Sequence, residues 1–99
     1  MNRTEIISRL RAVEPKLKPL GIAALYLFGS YARNEAAADS DVDLFIDKTP
    51  RQKFGFDEFM TTYELLRDAL PEADVQYGTR ESLSKYIRAE VEREAIRIL

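Results

Sequence analysis

The sequence predicts an α/β (α+β) domain in which helices pack on one small mixed β-sheet. The chain has 99 residues, of which 45% are hydrophobic, and this is enough for one small core. Three short runs rich in branched and aromatic residues, 23–28, 42–46 and 74–77, are typical of strands. Segments with apolar residues at helical spacing surround these runs, which indicates helices packed on a sheet. We therefore expect residues 1–99 to form a single domain.

The first helix is predicted from four apolar residues at helical spacing: Ile6, Leu10, Val13 and Leu17. Thr4 can cap the N-terminus of this helix. Pro15 lies inside the pattern, so it should kink the helix or start a second short turn. Pro19 and Gly21 should then end the helical region.

The middle of the chain alternates between strands and polar connections. After the strand at 23–28, we expect a turn or short helix at 30–33 and a loop at 34–40. The second strand should span about 42–46, and a polar connector should cover 47–55.

Two further helices are predicted in the second half. The first carries a long apolar stripe made of Phe56, Phe59, Met60, Tyr63, Leu66 and Leu70. Pro71 should end this helix, and Gly78 should close the third strand. The C-terminal helix is predicted from Leu83, Ile87, Val91, Ala95 and Ile98.

The amino-acid composition limits the kinds of catalytic and metal-binding site that the chain can form. The chain has no His and no Cys, which excludes His general bases, Cys nucleophiles, disulfides and the usual zinc sites. Oxygen ligands for a hard cation such as Mg²⁺ remain. Fifteen basic and seventeen acidic residues nearly balance, so nucleic acid is not an expected partner. There is no apolar run of the roughly 20 residues that cross a bilayer and no signal-peptide core, so we expect a soluble cytoplasmic protein without a membrane partner.

The most informative motif is Gly29-Ser30, followed after ten residues by Asp41-Val42-Asp43. Side chains alternate along a strand, so Asp41 and Asp43 should share one face. Glycine directly after a strand allows a sharp turn and the close approach of a phosphate. The Ser30 amide, at an expected helix start, and the Ser30 hydroxyl could face that phosphate. Paired carboxylates beside such a turn suit a divalent metal and a phosphate chain, which indicates phosphoryl or nucleotidyl transfer.

The alternative interpretation of this motif is a tight turn followed by two exposed carboxylates. A Gly-Ser pair alone is uninformative, and a lone Asp-x-Asp is weak evidence. From average composition, the joint pattern at this spacing arises by chance in roughly one chain of this length per thousand. Its placement between two predicted strands strengthens the functional interpretation.

These motifs resemble the minimal nucleotidyltransferases of the DNA polymerase β superfamily. The resemblance rests on Gly29-Ser30-Tyr31-Ala32-Arg33 and Asp39-Ser40-Asp41-Val42-Asp43-Leu44, and it extends over nearly the whole chain to Glu94-Ala95-Ile96. It implies a palm-like nucleotidyltransferase fold, with ATP as substrate and Mg²⁺ as the metal, in a site that could hold two ions. It also implies that Gly29 and Ser30 bind the triphosphate and that Asp41 and Asp43 hold the metal. Many proteins of this kind are antitoxin partners of HEPN-domain ribonuclease toxins, and some transfer AMP from ATP onto a toxin tyrosine.

The chain departs from the family pattern at two positions. Asn34 stands where the family usually has Gly, and Asn tolerates a left-handed backbone, so this change looks neutral. The third catalytic carboxylate of the family, which helps to deprotonate the attacking hydroxyl, falls on Gln76. A neutral amide coordinates a metal weakly and cannot act as that base. Asp74, two residues earlier on the same strand face, could substitute only if the strand slides or its connection is longer.

Other polar residues have two interpretations each. Arg33 could contact a phosphate or pair with Glu35, and Asp47 is interpreted as a loop cap. The charges at 88–97 are expected to form the solvated face of a helix, with a partner interface as the alternative. Packing is the expected role of four tyrosines: Tyr31, Tyr63, Tyr77 and Tyr86.

Three functions remain open at this point. The first is an antitoxin that binds Mg·ATP and modifies a HEPN toxin, and the second is an antitoxin on the same fold that acts by contact alone. The third is a stand-alone nucleotide-binding or small-molecule-transferring protein. Gln76 favours the second function, and the lack of an acceptor-binding domain in a chain this short argues against the third.

Overall fold

The computed structural model describes all residues from Met1 to Leu99, and its centre is a four-stranded sheet. The strands are β1 (Ile22–Phe28), β2 (Val42–Lys48), β3 (Val75–Thr79) and β4 (Ile96–Arg97), arranged in the order β3-β2-β1-β4. Strand β1 is antiparallel to both β2 and β4, whereas β2 and β3 are parallel. The predicted mixed sheet is therefore confirmed. The parallel pair needs a crossover, which the helix between β2 and β3 provides.

The N-terminal helical region is broken where the sequence predicts a break. Helix α1 (Arg3–Ala12) is followed by the short helix α2 (Glu14–Leu17), which has a proline in its first turn. A 3₁₀ turn leads on to Gly21, whose φ of +100° ends the region. The predicted cap is wrong by two residues, because Asn2, rather than Thr4, accepts the hydrogen bond from the Glu5 amide at 2.9 Å.

The long second helix agrees with its prediction. Helix α3 (Phe56–Ala69) begins where the Glu58 carboxylate accepts a hydrogen bond from the Gly55 amide at 2.7 Å. It ends just before Pro71. No helix of the protein is both long and apolar enough to cross a membrane.

The hydrophobic core lies on one face of the sheet, under α1 and α3. Alternate residues of β1 and β2, such as Leu25, Leu27 and Leu44, point into it and are almost fully buried. The helices contribute further buried side chains, among them Ile6 and Leu66. The opposite face of the same strands carries polar and aromatic side chains, and this open face holds the candidate site.

Two strand ends extend beyond their predicted limits. Strand β2 continues to Lys48, although the connector was expected from residue 47. Strand β3 runs through Gly78 to Thr79, so this glycine does not close it. In both cases a neighbouring strand supplies partners beyond the apolar run. Strand β1 pairs with the end of β2, where Ile22 is opposite Lys48, and β2 pairs with the end of β3, where Ile46 is opposite Thr79.

The C-terminal helix is much shorter than the sequence predicts. Helix α4 covers only Arg88–Glu94, and the residues that follow form β4 against β1. The Ile98 amide donates to the Leu25 carbonyl at 2.7 Å, and the Leu25 amide donates to the Leu99 carbonyl at 3.1 Å. Pairing with a strand some 70 residues away replaces the expected last helical turns. A local apolar period cannot reveal such a partner.

Candidate active site

A groove of about 480 Å³ lies on the open face, at the end of the sheet where β1 finishes and β2 begins. Both motif aspartates contribute to it, together with the Gly-Ser turn and one side of α4. Its lining consists of Phe28, Gly29, Ser30, Arg33, Ser40, Asp41, Asp43, Ile87, Glu90, Val91 and Glu94. These eleven residues, which the sequence separates by up to 66 positions, meet because β1, β2 and α4 converge here.

Gly29 is in direct contact with Asp43. The antiparallel register pairs Phe28 with Asp43, so the turn after β1 begins beside the aspartate. Gly29 has a φ of +77°, a conformation that side chains disfavour. A Cβ atom at this position would lie only 2.2 Å from the Asp43 Oδ2 atom. Glycine is therefore required both by the backbone and by the space that the carboxylate occupies.

The segment after Gly29 is a series of turns rather than a helix. The Arg33 amide donates to the Gly29 carbonyl at 3.1 Å, and the Glu35 amide donates to the Ser30 carbonyl at 2.8 Å. Of the two expectations for residues 30–33, a turn or a short helix, the turn is confirmed. No helix dipole therefore acts at Ser30. Asn34 adopts a φ of +59°, as its substitution for glycine suggested.

The two motif aspartates are without partners in the chain. The eight ion pairs of the protein use other carboxylates. Burial is the main cause that raises the pKa of Asp43, and the nearby charge of Asp41 raises it further. The Arg33 guanidinium lowers the same pKa by a smaller amount, and Glu94 raises it. An anionic Asp43 is therefore short of compensating positive charge.

The donor set of the groove fits a hard divalent cation next to a phosphate. No three acidic side chains are close enough to form a complete metal site by themselves. Magnesium in proteins is usually held by one or two carboxylates, with waters and substrate phosphates as its other ligands. Asp41 and Asp43 could supply those carboxylates, and the Ser30 hydroxyl and the Gly29 amide could bind phosphate oxygens.

Arg33 makes a contact that the sequence analysis missed. Its Nη1 atom lies 3.2 Å from both carboxylate oxygens of Glu94, while its Nε atom is 3.6 Å from Glu35. The hydrogen bond to Glu94 is the main cause that raises the pKa of Arg33. The ion pair with Glu35 is present, but the shorter contact is with α4. Only the resemblance around Glu94 pointed to this part of the chain.

Glu94 and Glu90 also show that the charges of α4 are not simply a solvated face. Both side chains line the groove, and the Glu94 Oε1 atom accepts a hydrogen bond from the Gly29 amide at 3.2 Å. The expectation of a solvated helix face holds for Glu90, which is exposed, and is wrong for Glu94, whose side chain is only 20% exposed. The shortness of α4 and the return of the chain through β4 place them there.

The structure places Gln76 directly beside Asp43. These residues are partners in the parallel register of β2 and β3, so both side chains lie on the open face. Gln76 lines an adjacent depression of about 210 Å³, which shares Phe28 with the groove. Asp74 precedes β3 and does not line the groove; it lines a further depression next to Phe59 of α3, to which Gln76 also contributes. The strand has not slid, so Asp74 is not brought together with Asp41 and Asp43.

The tyrosines follow the packing expectation with one exception. Tyr31 is buried, and Tyr77 stacks on Phe59 with 4.6 Å between ring centres and lies near Tyr63. Tyr86 is 87% exposed, so the expectation of packing is wrong for it. It lies in the segment that leads into α4, one residue before Ile87 of the groove.

At the far end of β2, Asp47 belongs to a paired cluster. It lies within the strand, so its interpretation as a loop cap is wrong. Arg80 donates to both Asp47 oxygens, at 2.7 and 2.8 Å, and also pairs with Glu92 of α4. The Arg80 guanidinium lies about 5 Å above the rings of Tyr26 and Phe45. This arrangement ties α4 to the open face of the sheet.

The sheet order, the glycine turn and the paired carboxylates together define a protein of the nucleotidyltransferase fold. Residues 12–99 match the polymerase beta nucleotidyltransferase family. Because the match covers most of the chain, the protein belongs to that family. The resemblance inferred from the motifs is thereby confirmed.

Solved structures support the same fold. One neighbour, assigned as a minimal nucleotidyltransferase, is 28% identical, with a TM-score of 0.80 over 97% of this chain and 95% of its own. A toxin-antitoxin complex with AMP-PNP is 24% identical, with a TM-score of 0.64 over 100% of this chain and 73% of its own. A mutant of the MntA-HpeT toxin-antitoxin is 22% identical, with a TM-score of 0.61 and the same coverage. No curated protein sequence matches this chain significantly.

Proposed function

We propose that this protein is an antitoxin that uses Mg·ATP to transfer a nucleotide, AMP, onto a HEPN-domain toxin. The observation that carries the proposal is the pair of unpartnered aspartates, one of them in contact with the Gly29 turn. Asp41 is exposed, whereas Asp43 is partly buried, and an unpaired, partly buried carboxylate is costly unless a cation compensates it. A metal-bound triphosphate satisfies both the carboxylates and the nearby donors.

Each group of the groove has a role in this proposal. Asp41 and Asp43 hold the metal, and Gly29, Ser30 and Arg33 bind the triphosphate. Mg²⁺, when bound, neutralises charge on the phosphate oxygens, which favours attack by an acceptor hydroxyl. The acceptor oxygen loses its proton to solvent water and forms a bond to the α-phosphorus, while the bond from the α-phosphorus to the bridging oxygen breaks and pyrophosphate leaves. We also propose a cytoplasmic location, because ATP is the substrate.

The partner is proposed from the resemblance and from the neighbouring structures. Two of these structures are toxin-antitoxin complexes, and one of them contains AMP-PNP. At their level of identity they carry the fold, so the toxin and the nucleotide are proposals for this chain. The exposed Tyr86 and the half-exposed Ile87 beside the groove support an acceptor that is itself a protein.

A second candidate is an antitoxin on the same fold that neutralises its partner by contact, with little or no transfer. Gln76, in register with Asp43, favours this candidate, because an amide cannot accept the proton of the attacking hydroxyl. Asp74 shares a depression with Gln76 but does not line the groove that holds Asp41 and Asp43, so it is badly placed to supply the missing base. General-base help typically contributes about 10²- to 10⁴-fold, so its loss slows transfer without abolishing it.

Nucleotide binding is tested by calorimetry with ATP in the presence and absence of Mg²⁺. We expect the Asp41→Asn, Asp43→Asn double variant to lose at least about tenfold in Mg²⁺-dependent affinity, because both metal ligands lose their charge. The matched control is Asp57→Asn, Asp68→Asn, which removes the same charge from exposed positions on α3. Equal affinity in the double variant and the wild type would exclude the assignment.

Transfer is tested with labelled ATP and the co-expressed product of the adjacent open reading frame. We expect slow labelling by the wild type, faster labelling by Gln76→Asp and no change in Asp74→Asn. Loss of labelling in Asp74→Asn would give the third carboxylate role to Asp74. Rapid wild-type transfer that Gln76→Asp does not improve would show that the chain needs no third carboxylate. Separate elution of the two proteins on size-exclusion chromatography at micromolar concentration, with no rescue of growth, would contradict the antitoxin role.

A further inference from the structure

The groove already contains an internal anion. The Glu94 carboxylate accepts hydrogen bonds from the Gly29 amide and from Arg33 Nη1, each at 3.2 Å. Its side chain is only 20% exposed. These two donors are the groups that the proposed function assigns to the triphosphate. A carboxylate oxygen and a phosphate oxygen accept the same kind of charge-assisted hydrogen bond, so the two anions cannot use these donors together.

The surroundings of Glu94 are unfavourable for a carboxylate apart from those two donors. Arg33 is the only basic residue that lines the groove, whereas Asp41, Asp43 and Glu90 are acidic. The negative charge of Glu94 also raises the pKa of Asp43, so the two groups repel each other. Glu94 is therefore held by a small number of contacts, against repulsion from its neighbours.

Glu94 is also connected to the edge of the sheet. It is the last residue of α4, and β4 begins two residues later. Strand β4 is only two residues long, and it pairs with β1 at Tyr26 and Leu27. A movement of the Glu94 backbone would consequently be passed to a short edge strand, which is easily disturbed.

We propose that Glu94 is a resident competitor of the nucleotide, which occupies the phosphate donors until the triphosphate displaces it. This inference rests on the proposed function and adds a form of regulation to it. Nucleotide binding releases Glu94 from Gly29 and Arg33 and loosens residues 94–99 against β1. In part of the protein population, Glu94 is bonded to Gly29 and Arg33, and these molecules cannot bind the triphosphate. The apparent affinity for ATP is therefore lower than the affinity of molecules in which Glu94 is released. Removal of the Glu94 charge raises the affinity.

The first experiment compares Mg·ATP affinity in the wild type, Glu94→Gln and Glu90→Gln by calorimetry, with thermal melts to verify folding. We expect about tenfold tighter binding by Glu94→Gln, because a charge-assisted hydrogen bond is roughly twice as strong as a neutral one. Glu90→Gln removes the same charge from the same groove but touches neither donor, so it should change the affinity much less. An equal gain in both variants would show simple charge repulsion and overturn the competitor role.

The outcomes separate this inference from the proposed function. Weaker binding by Glu94→Gln would mean that Glu94 supports the Gly29 turn, and it would overturn the inference alone. No ATP binding by any of the three proteins would overturn the proposed function and the inference with it.

A second measurement needs no variant. Hydrogen exchange of the wild type with and without Mg·ATP should show faster exchange at the Ile98 and Leu99 amides, which donate to the Leu25 carbonyl. Unchanged or slower exchange at these amides, with the nucleotide bound, would overturn the proposed displacement.

Discussion

Two aspartates on the same face of β2 have opposite surroundings. Asp43 lies near the start of the strand, has no partner in the chain and touches the Gly29 backbone. Asp47 lies near the end and receives two hydrogen bonds from Arg80 at 2.7 and 2.8 Å. The two residues have the same chemistry, strand and orientation. Only their neighbours from other elements differ.

The surroundings of the two aspartates separate a carboxylate that an arginine neutralises from a carboxylate that has no partner. Arg80 neutralises Asp47 and covers the aromatic rings beside it, so this end of the sheet is electrostatically complete. At the other end, Arg33 pairs with Glu94 rather than with Asp43. Asp43 therefore has a raised pKa, and its negative charge is not neutralised by a basic side chain. An unsatisfied charge is thus concentrated where a metal-bound ligand can satisfy it.

Among the substitutions considered, Gly29→Ala, at the end of the sheet that holds the unpaired Asp43, should have the largest effect on stability. Gly29→Ala meets the Asp43 carboxylate at 2.2 Å and must also hold a positive φ, so we expect a loss of about 3 kcal/mol in the free energy of unfolding. Gly21→Ala is a matched control. It has a positive φ of +100°, but its Cβ would lie 3.4 Å from the flexible Gln52 side chain. It should cost about 1–2 kcal/mol. Urea unfolding of both variants provides the comparison.

A double variant sharpens this prediction. Asp43→Ala removes the carboxylate that Gly29→Ala would meet at 2.2 Å and leaves only the Asp43 Cβ atom at 3.3 Å, so the combined cost should be smaller than the sum of the two single costs by about 1 kcal/mol or more. Strict additivity would show that the contact between Gly29 and Asp43 is not the source of the loss.

The paired end should lose about 2 kcal/mol when Arg80 is replaced by Ala. The substitution leaves Asp47 and Glu92 without their cation, and it uncovers the rings of Tyr26 and Phe45. For a domain of this size the melting temperature should fall by about 10 °C. Arg93→Ala, at an exposed position on α4 next to Glu92, should change stability by less than about 0.5 kcal/mol. Similar melting temperatures for the two variants would contradict a structural role for Arg80.

The smallest effect should be a gain in stability when the charge of Asp43 is removed. The pKa of Asp43 is raised in the folded protein, so the native state binds more protons than the unfolded state between the ordinary and the raised pKa. Stability therefore falls as the pH rises through this window, and the loss persists at neutral pH. Asp43→Asn should abolish this fall and melt slightly higher than the wild type at pH 7 without metal. Asp47→Asn should instead melt lower.

Thermal melts between pH 4 and pH 8, in the presence of a chelator, would show whether the melting temperature rises in Asp43→Asn and falls in Asp47→Asn. A lower melting temperature for Asp43→Asn at pH 7 would show that its charge is compensated in the native protein. Added Mg²⁺ should stabilise the wild type more than Asp43→Asn, because only the wild type keeps both of the proposed metal ligands.

Several features of the protein were determined locally, and the sequence could reveal them. Pro15 breaks the N-terminal helical region into α1 and α2, because its ring and missing amide proton act within one turn. The alternation of polar and apolar residues in β2 separates Asp43 from Leu44 whatever the strand pairs with. Gly29 directly after an apolar run indicates a tight turn, and this effect of glycine is also local. These rules operate over a few residues, so the fold class and the two metal-ligand candidates followed from the sequence.

Tertiary structure alone decided the partners of these residues. Glu94 reaches Gly29, and Arg80 reaches Asp47, across 65 and 33 residues of chain. The C-terminal residues 96–97 form a strand rather than a helix because β1 offers an open edge. Local periodicity contains no information about such distant groups, and their free energies depend on burial and pairing that exist only after the sheet has formed. The sequence therefore determined that Asp43 and Asp47 are carboxylates on the same face of β2. The folded environment determined that Arg80 neutralises only Asp47.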